Sequence, residues 1–527
     1  MSDAKDWTIM VYLAGDNDLS ETMARRVLDM RRIRDRVTNI NLLVYYDGNN
    51  PTIKTRYENM TGGMPTATSL STRIPVEPVK LVVEQNSSSP WTVKRFVKWC
   101  IEDQGAKADN YALIIAGHGD GFQRNSFMED QTSMGYLTVK GLKQSLKEIR
   151  EQIISDQQFQ ILAFDSCVMN TFEIAYELQI HVETLVGSQG NMQESGWSYT
   201  DIVEGLVRLD SSKPIPKYEI TKLFVDSAIN PNDEYFDLNA RSLDMSVFNL
   251  EPKALKTIFD NLHLLGASLS RAIPKEAKSS DQLALKESVM KAILSAHWRC
   301  QTYLYEQSID IIDFCQNLSG ECFQIQDNLN RLIRFAGRKE EPVAEGEAAK
   351  VTYSADVGPD DVLRIERAVT DVSLIDDISE KCHAVIESVD ACVQTSCFSG
   401  SDYQFSNGMS LFFPWTLYTL HISKRIYEVF SFACDQHERK HSPLPWYSFL
   451  YCYLNESVRR QEPELRFSPF DSHTKGWLTY DKTLLDPPDQ GMLDPPDQGM
   501  LSGDYKKYFS RMKNFDWTTK SGCSKEK

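Results

Sequence analysis

No window of about 18 consecutive apolar residues occurs in this 527-residue chain, so no segment reads as a membrane-spanning helix. Positive charge is scarce. Lys and Arg number 57 against 74 Asp and Glu, a formal net charge of −17. That balance argues against a nucleic-acid partner and fits solubility. It leaves room for a cationic substrate, which an acidic protein attracts. The opening residues MSDAKDW contain neither a basic stretch nor an apolar one. No secretory leader is therefore expected, and a cytoplasmic location is. No CxxC pair occurs, and the eleven cysteines are irregularly spaced and odd in number. They read as reduced thiols of an intracellular protein.

What the chain does have is apolar residues, 41% of the total, enough for a large core and about two to four domains. Short apolar runs alternate with helical patterns. Strands are expected at 7–13, 41–46, 52–59, 111–116, 159–164 and 184–187, with helices at 18–36, 93–102, 138–153 and 171–178. Asp18 with Glu21 three residues on has the form of a capping box. The segment 122–136 reads as a polar loop. Such βα alternation implies an α/β fold, a largely parallel sheet covered by helices on both faces.

Two of these strands end in chemically useful residues. The stretch 159–170, FQILAFDSCVMN, runs from an apolar strand into Asp165-Ser166-Cys167 and then into a helix. A cysteine there stands at the crevice edge of an open sheet and feels the positive end of a helix dipole, which favours thiolate. Alone, it reads equally as a buried structural thiol, because free Cys is among the most buried residue types. The stretch 111–116, YALIIA, ends in Gly117-His118-Gly119-Asp120-Gly121. Glycines on both sides of His118 let the backbone come close to a ligand. Two strands joined by a helical crossover lie parallel, so both ends emerge on one edge. Cys167 and His118, about 50 residues apart, match the spacing of a caspase-like Cys/His pair.

The segment 188–199, SQGNMQESGWSY, leaves the next strand on the same edge and reads as a pocket wall or an ordinary surface loop. Further on, helices are expected at 218–229, 252–273, 283–295 and 447–454, and strands at 236–248, 394–398 and 410–413. The segment 309–315 reads as buried. Residues 338–350, RKEEPVAEGEAAK, read as a charged linker. The chain thus divides into a catalytic core at 1–210, an α+β remainder at 211–455 and a flexible tail at 456–527. The tail carries two identical octets, LDPPDQGM, at 485–492 and 493–500. They read as a duplication in a flexible segment or as a docking motif.

WTIMVYLAGDNDL, IIAGHGDG, FDSCVMN and FSNGMSLFFP together resemble the clostripain family of cysteine peptidases, peptidase family C11, in the caspase-like superfamily. The likeness covers residues 7–454. It implies a caspase–haemoglobinase-like fold and peptide-bond hydrolysis by a Cys/His dyad, with Cys167 as nucleophile and His118 protonating the leaving amine. Backbone N–H groups of Gly119 and Cys167 would form the oxyanion hole. Relatives prefer Arg or Lys on the acyl side of the cut, and the matching acid here is Asp165, with Ser188 and Gln189 in the pocket wall. Asp165 could instead cap the following helix or tether a loop. The resemblance also implies a protein or peptide substrate and maturation by cleavage, self-inflicted or with an activating or inhibitory partner. Arg124, Lys140, Lys143, Lys147, Arg338, Lys339 and Lys350 are the candidate nicking positions. Some relatives use calcium, but acidic residues here are too dispersed to nominate ligands, and no metal site is expected.

Two rival readings stand beside this one. A non-catalytic scaffold on the same fold would need a broken dyad, and both residues are present. A metal-dependent hydrolase would use His118, Asp120 and Asp165, leaving the cysteine idle.

Overall fold

The computed structural model describes residues 5–49, 55–62, 79–82, 84–121, 127–210, 212–231, 242–303, 307–335, 338–340, 351–353, 359–435, 442–460 and 521–526. Ten strands form one sheet: β1 (Lys5–Gly15), β2 (Asn41–Gly48), β3 (Arg56–Asn59), β4 (Val79–Leu81), β5 (Ala108–Ala116), β6 (Ile161–Asp165), β7 (Thr184–Gly187), β8 (Leu243–Asn249), β9 (Val393–Ser399) and β10 (Ser521–Glu526). Their order across the sheet is β10-β9-β8-β7-β6-β5-β1-β2-β3-β4. The middle five run parallel, and antiparallel strands extend the sheet on both sides.

Strand β1 shows why the apolar runs fold this way. Trp7, Ile9, Val11 and Leu13 enter one buried cluster, and Met10, Tyr12 and Ala14 enter the other. Successive side chains point to opposite faces, so a strand covered on both sides is apolar without interruption. Helices α1 (Ser20–Ile33) and α5 (Tyr199–Arg208) cover one face; α2 (Pro90–Lys98), α3 (Val139–Gln152) and α4 (Phe172–Leu178) cover the other. Helix α3 buries Val139, Leu142, Leu146 and Ile149, and the Thr138 hydroxyl caps it by accepting the Gly141 N–H at 2.9 Å. It is the crossover between β5 and β6, which pair in parallel with Ala116 opposite Asp165.

Several expectations need correction. Helix α1 starts at Ser20 with no side-chain cap, so Asp18 and Glu21 form no capping box. Part of the expected loop 122–136 is a hairpin, Phe127–Asp130 with Gly135–Leu137; residues 122–126, Arg124 among them, lie outside the described residues. Strands β8 and β9, from the second half, join the same sheet as the first-half strands. A 34-residue helix, Pro359–Cys392, went unanticipated, although Ile375, Ile378, Cys382, Val385 and Val389 carry a helical apolar spacing and are buried. The linker is bracketed by a ladder of Arg338–Glu340 with Val351–Tyr353; residues 341–350 lie outside the described residues. So do both octets, yet the end of the tail returns as β10 against β9. Cys397 is disulfide-bonded, so the thiols are not uniformly reduced. Among the described residues no helix is long and apolar enough to cross a membrane.

Candidate active site

The chain leaves β5 and β6 on one edge, and the two loops meet at once. The Gly117 N–H donates to the Asp165 carbonyl at 3.4 Å. Gly119 lies flat against Cys167. A Cβ placed on it would stand 2.3 Å from the Cys167 carbonyl oxygen and 3.0 Å from the Cys167 nitrogen. Contacts under 3.0 Å are not tolerated by backbone atoms, so only glycine fits. The loops bearing His118 and Cys167 therefore share one rim.

The turn at Cys167 is strained. Val168 has φ +56°, in the left-handed region that a β-branched residue rarely enters. Its N–H donates to the Gly190 carbonyl at 2.8 Å, and it is buried. The strain turns the chain sharply just after Cys167, a pattern found at functional sites. The Cys167 Sγ accepts the Met192 N–H at 3.2 Å and lies 3.5 Å from the Met192 carbonyl oxygen. Burial pushes the Cys167 thiol up; the Met192 N–H opposes this, and the charges of Asp120 and Asp165 add to the rise. The expected thiolate is thus not the resting form. Helix α4 begins five residues beyond the sulfur and has seven residues, so its dipole does not outweigh burial.

His118 has a partner that sequence reasoning missed. Its Nε2 lies 2.5 Å from Asp18 Oδ1, with the ring 41% exposed and the carboxylate 75% exposed. Asp18 follows β1, the parallel neighbour of β5, so the adjacency was available from topology. It was obscured by the reading of Asp18 as a helix cap. Asn17 takes the local turn instead, accepting the Leu19 N–H at 3.0 Å. Met192 was missed as well, since it contacts the sulfur through backbone atoms that any residue supplies.

Asp165 is occupied. Its Oδ2 lies 3.0 Å from Arg26 Nη1, and this ion pair is buried, the two side chains 9% and 1% exposed. The same oxygen accepts the Tyr199 hydroxyl at 3.2 Å and the Trp197 N–H at 3.4 Å. Asp165 therefore does not present a bare carboxylate, and it tethers the 194–199 loop to α1. Ser188 and Gln189 do not line a pocket with their side chains. Both are fully buried. Ser188 Oγ donates to Asp244 Oδ1 at 2.9 Å, and Gln189 Nε2 donates to Asp310 Oδ2 at 3.0 Å. They anchor the wall from beneath. His118, Asp120 and Asp165 form no metal-ligand group among the described residues. Residues 437–441, HERKH, match the HExxH spacing and were overlooked in the sequence reading; they lie outside the described residues.

The segment FSNGMSLFFP buttresses the Cys167 loop from behind. Gly408 N–H donates to Gln189 Oε1 at 2.7 Å, and Ser410 N–H donates to the Asn170 carbonyl at 3.2 Å. Asn170 Nδ2 in turn donates to Ser246 Oγ at 2.5 Å. Loop, sheet and this distant segment are thereby tied together.

Comparison with known proteins identifies the family. The chain matches the clostripain family of C11 peptidases over residues 11–440. It is 25% identical over 220 residues to clostripain of Hathewaya histolytica, a match covering 37% of this chain and 41% of that protein. The chain thus spans about two fifths of the length of that curated relative. Among solved structures it is similar to a secreted C11 cysteine protease from Bacteroides thetaiotaomicron bound to an irreversible peptide inhibitor, at 16% identity and TM-score 0.41, covering 71% of this chain and 99% of that one. An inactive zymogen C11 protease from Parabacteroides distasonis aligns at 16% identity and TM-score 0.38, covering 72% of this chain and 99% of that one. A family match across four fifths of the sequence, with the DSC and HG motifs brought to one sheet edge, places this chain in the clostripain family.

Proposed function

We propose that the protein is a cysteine endopeptidase in which Cys167 is the nucleophile and His118 the acid–base partner. The observation that supports this reading is the close approach of Gly119 to the Cys167 backbone, which brings the loops bearing His118 and Cys167 together. With Nε2 turned to Asp18, Nδ1 of His118 is the nitrogen left to move the proton. The Cys167 proton passes to His118 as sulfur attacks the scissile carbonyl carbon. The protonated imidazole then gives that proton to the leaving amine, and a thioester remains. Water, deprotonated by His118, hydrolyses the thioester and restores the thiol. On this reading the N–H groups of Gly119 and Cys167 receive the oxyanion.

The substrate is a protein or peptide with Arg or Lys before the cut. Asp120 and Asp165 supply negative charge at Cys167. The seat at Asp165 already accommodates a guanidinium, that of Arg26, with the Tyr199 ring 5.6 Å from its Cζ. A substrate cation engages Asp165 by displacing Arg26. The resting chain is latent on this reading. Its sulfur is protonated and held by Met192, and its acid is occupied, until a cleavage or a partner shifts the 190–199 loop. Lys140, Lys143 and Lys147 lie within helix α3, so a nick there requires local opening first.

The deciding experiment is turnover of Arg- and Lys-ended fluorogenic peptides by the wild type, Cys167→Ala and His118→Ala, before and after limited proteolysis with intact mass recorded. Both substitutions abolish hydrolysis if the assignment holds; full turnover by either ends it.

A further inference from the structure

The crossover helix α3 carries a row of positive charge in a chain that is acidic overall. Lys140, Lys143, Lys147 and Arg150 recur every three or four residues and so share one face of the helix. The three lysines line a groove of about 810 Å³, together with Trp91 and Lys94 of α2, His181 and residues 429–431. Part of this charge is already engaged. Lys143 Nζ donates to Glu177 Oε2 at 2.5 Å, Lys94 Nζ donates to Glu148 Oε2 at 2.5 Å, and Arg150 Nε lies 2.9 Å from Asp156 Oδ1. Among the described residues Lys140 and Lys147 form no ion pair, and both are exposed. His181, also in the groove lining, is buried, and its Nδ1 meets no hydrogen-bond partner. Burial, then the charges of Arg150, Lys143 and Lys147, push its imidazole down to about 4, so it stays neutral beside the lysines. Trp91 is 64% exposed, with Lys94 Nζ 5.0 Å from its ring centre. An uncovered indole beside two unpaired ammonium groups suits a ligand that brings both carboxylates and apolar rings.

We propose that this groove docks the chain's own LDPPDQGM octets, 485–492 or 493–500. Each octet has two aspartates, a Pro-Pro pair and no lysine or arginine. Consecutive prolines favour the polyproline II form, with three residues per turn and a rise of about 3.1 Å per residue. Asp486 and Asp489 then fall on one side of the strand, about 9 Å apart, and Asp494 and Asp497 repeat the pair. Lys140 and Lys147 stand two helical turns apart on α3, about 10 Å. One octet thus offers two carboxylates at the spacing of the two unpaired lysines, whose four-carbon stems absorb the difference. Between those carboxylates lie the two proline rings, the groups that aromatic-lined grooves accept in this form. Trp91 supplies the aromatic surface.

A tethered occupant is favoured over a separate acidic protein. The chain's net charge of −17 repels a free acidic partner, whereas a linked segment meets the groove at high effective concentration, and two copies raise it further. The connections are long enough. Twenty-four residues separate Arg460, the end of the helix Pro445–Arg460, from Leu485, and twenty separate Met500 from the first residue of β10. Each can extend about 65 Å or more, against a radius of gyration of about 24 Å expected for a chain of this length. Docking lays an octet over Lys140 and Lys147. It requires neither Cys167 nor His118, so it stands apart from the peptidase reading.

The full-length protein is treated with a carbodiimide, which joins a carboxylate to a lysine amine in contact with it, and the linked peptides are identified by mass spectrometry. The expected result is Lys140 or Lys147 joined to an octet aspartate about tenfold more often than the exposed Lys98 and Lys256 are, with the excess lost in high salt. An equal mixture of ¹⁵N-labelled and unlabelled protein locates the link. Links within one chain support the proposal; links only between chains assign the groove to a second copy's tail and overturn it. In a second measurement, Asp486→Asn, Asp489→Asn, Asp494→Asn and Asp497→Asn are combined in the full chain to free the groove. A fluorescein-labelled LDPPDQGMLDPPDQGM peptide, followed by anisotropy, should bind this variant about tenfold more tightly than the wild type, and adding Trp91→Ala should weaken that binding several-fold. Octets that link to no α3 lysine, or a labelled peptide that does not bind the freed groove or binds both proteins alike, overturn the docking.

Discussion

Asp18 Oδ1 and His118 Nε2 are 2.5 Å apart although 100 residues separate them in sequence. A carboxylate on the far nitrogen of an imidazole holds the ring's orientation. If His118 is the acid–base group proposed above, Asp18 acts as its positioning residue. Asp18→Asn should lower kcat about tenfold with KM little changed, less than the roughly 10²–10⁴ carried by an acid–base group itself. The carboxylate is mostly exposed, which limits its effect. A KM change with kcat intact would refute the positioning role.

The state of the sulfur can be read by alkylation. Burial, seconded by Asp120 and Asp165, raises the Cys167 thiol above its ordinary value, so the neutral form dominates at neutral pH. Thiolate is the reactive species. Iodoacetamide labelling of the Cys167 peptide in the resting protein should be slow at pH 7 and keep rising past the pH at which free cysteine in solution is half labelled. Fast, pH-independent labelling near neutrality would mean a preformed thiolate.

Gly119→Ala should remove peptide hydrolysis while leaving the fold, because the new Cβ meets the Cys167 carbonyl at 2.3 Å and must push the two loops apart. Gly105, at φ +66° with open space around it, provides the control. Gly105→Ala should cost about 1 kcal/mol and leave turnover unchanged. Circular dichroism together with steady-state kinetics separates the two outcomes.

The Arg26–Asp165 pair makes two opposed demands. Arg26→Ala leaves a buried carboxylate without its counter-charge and should lower urea stability by about 3–5 kcal/mol. Asp165→Asn should cut the preference for Arg over Leu before the scissile bond by roughly 10-fold or more, the worth of one charge-assisted hydrogen bond. An unchanged Arg/Leu ratio in a folded Asp165→Asn protein would leave Asp165 a structural tether alone.

The parallel core was legible because its strands are buried on both faces and so read as unbroken apolar runs, and the Cys167 and His118 loops followed from strand order. What could not be read was set by partners distant in the chain. Asp18 had the spacing of a cap, yet its side chain turns to a loop 100 residues on. Arg26 sits on an amphipathic helix that gives no hint of a buried acid. Ser188 and Gln189 read as pocket wall from their place after a strand, but hydrogen bonds to Asp244 and Asp310 turn their side chains inward.

The outermost strand β10 has a practical bearing on how the protein is made. Its six residues cover the ladder of β9, where Cys397 and Phe398 are buried. Shortening the recombinant chain before Ser521 would strip that cover and bare a row of unsatisfied amides beside apolar side chains, a template for chain-to-chain association. Truncated preparations should elute as oligomers in size-exclusion chromatography, whereas the full chain should not.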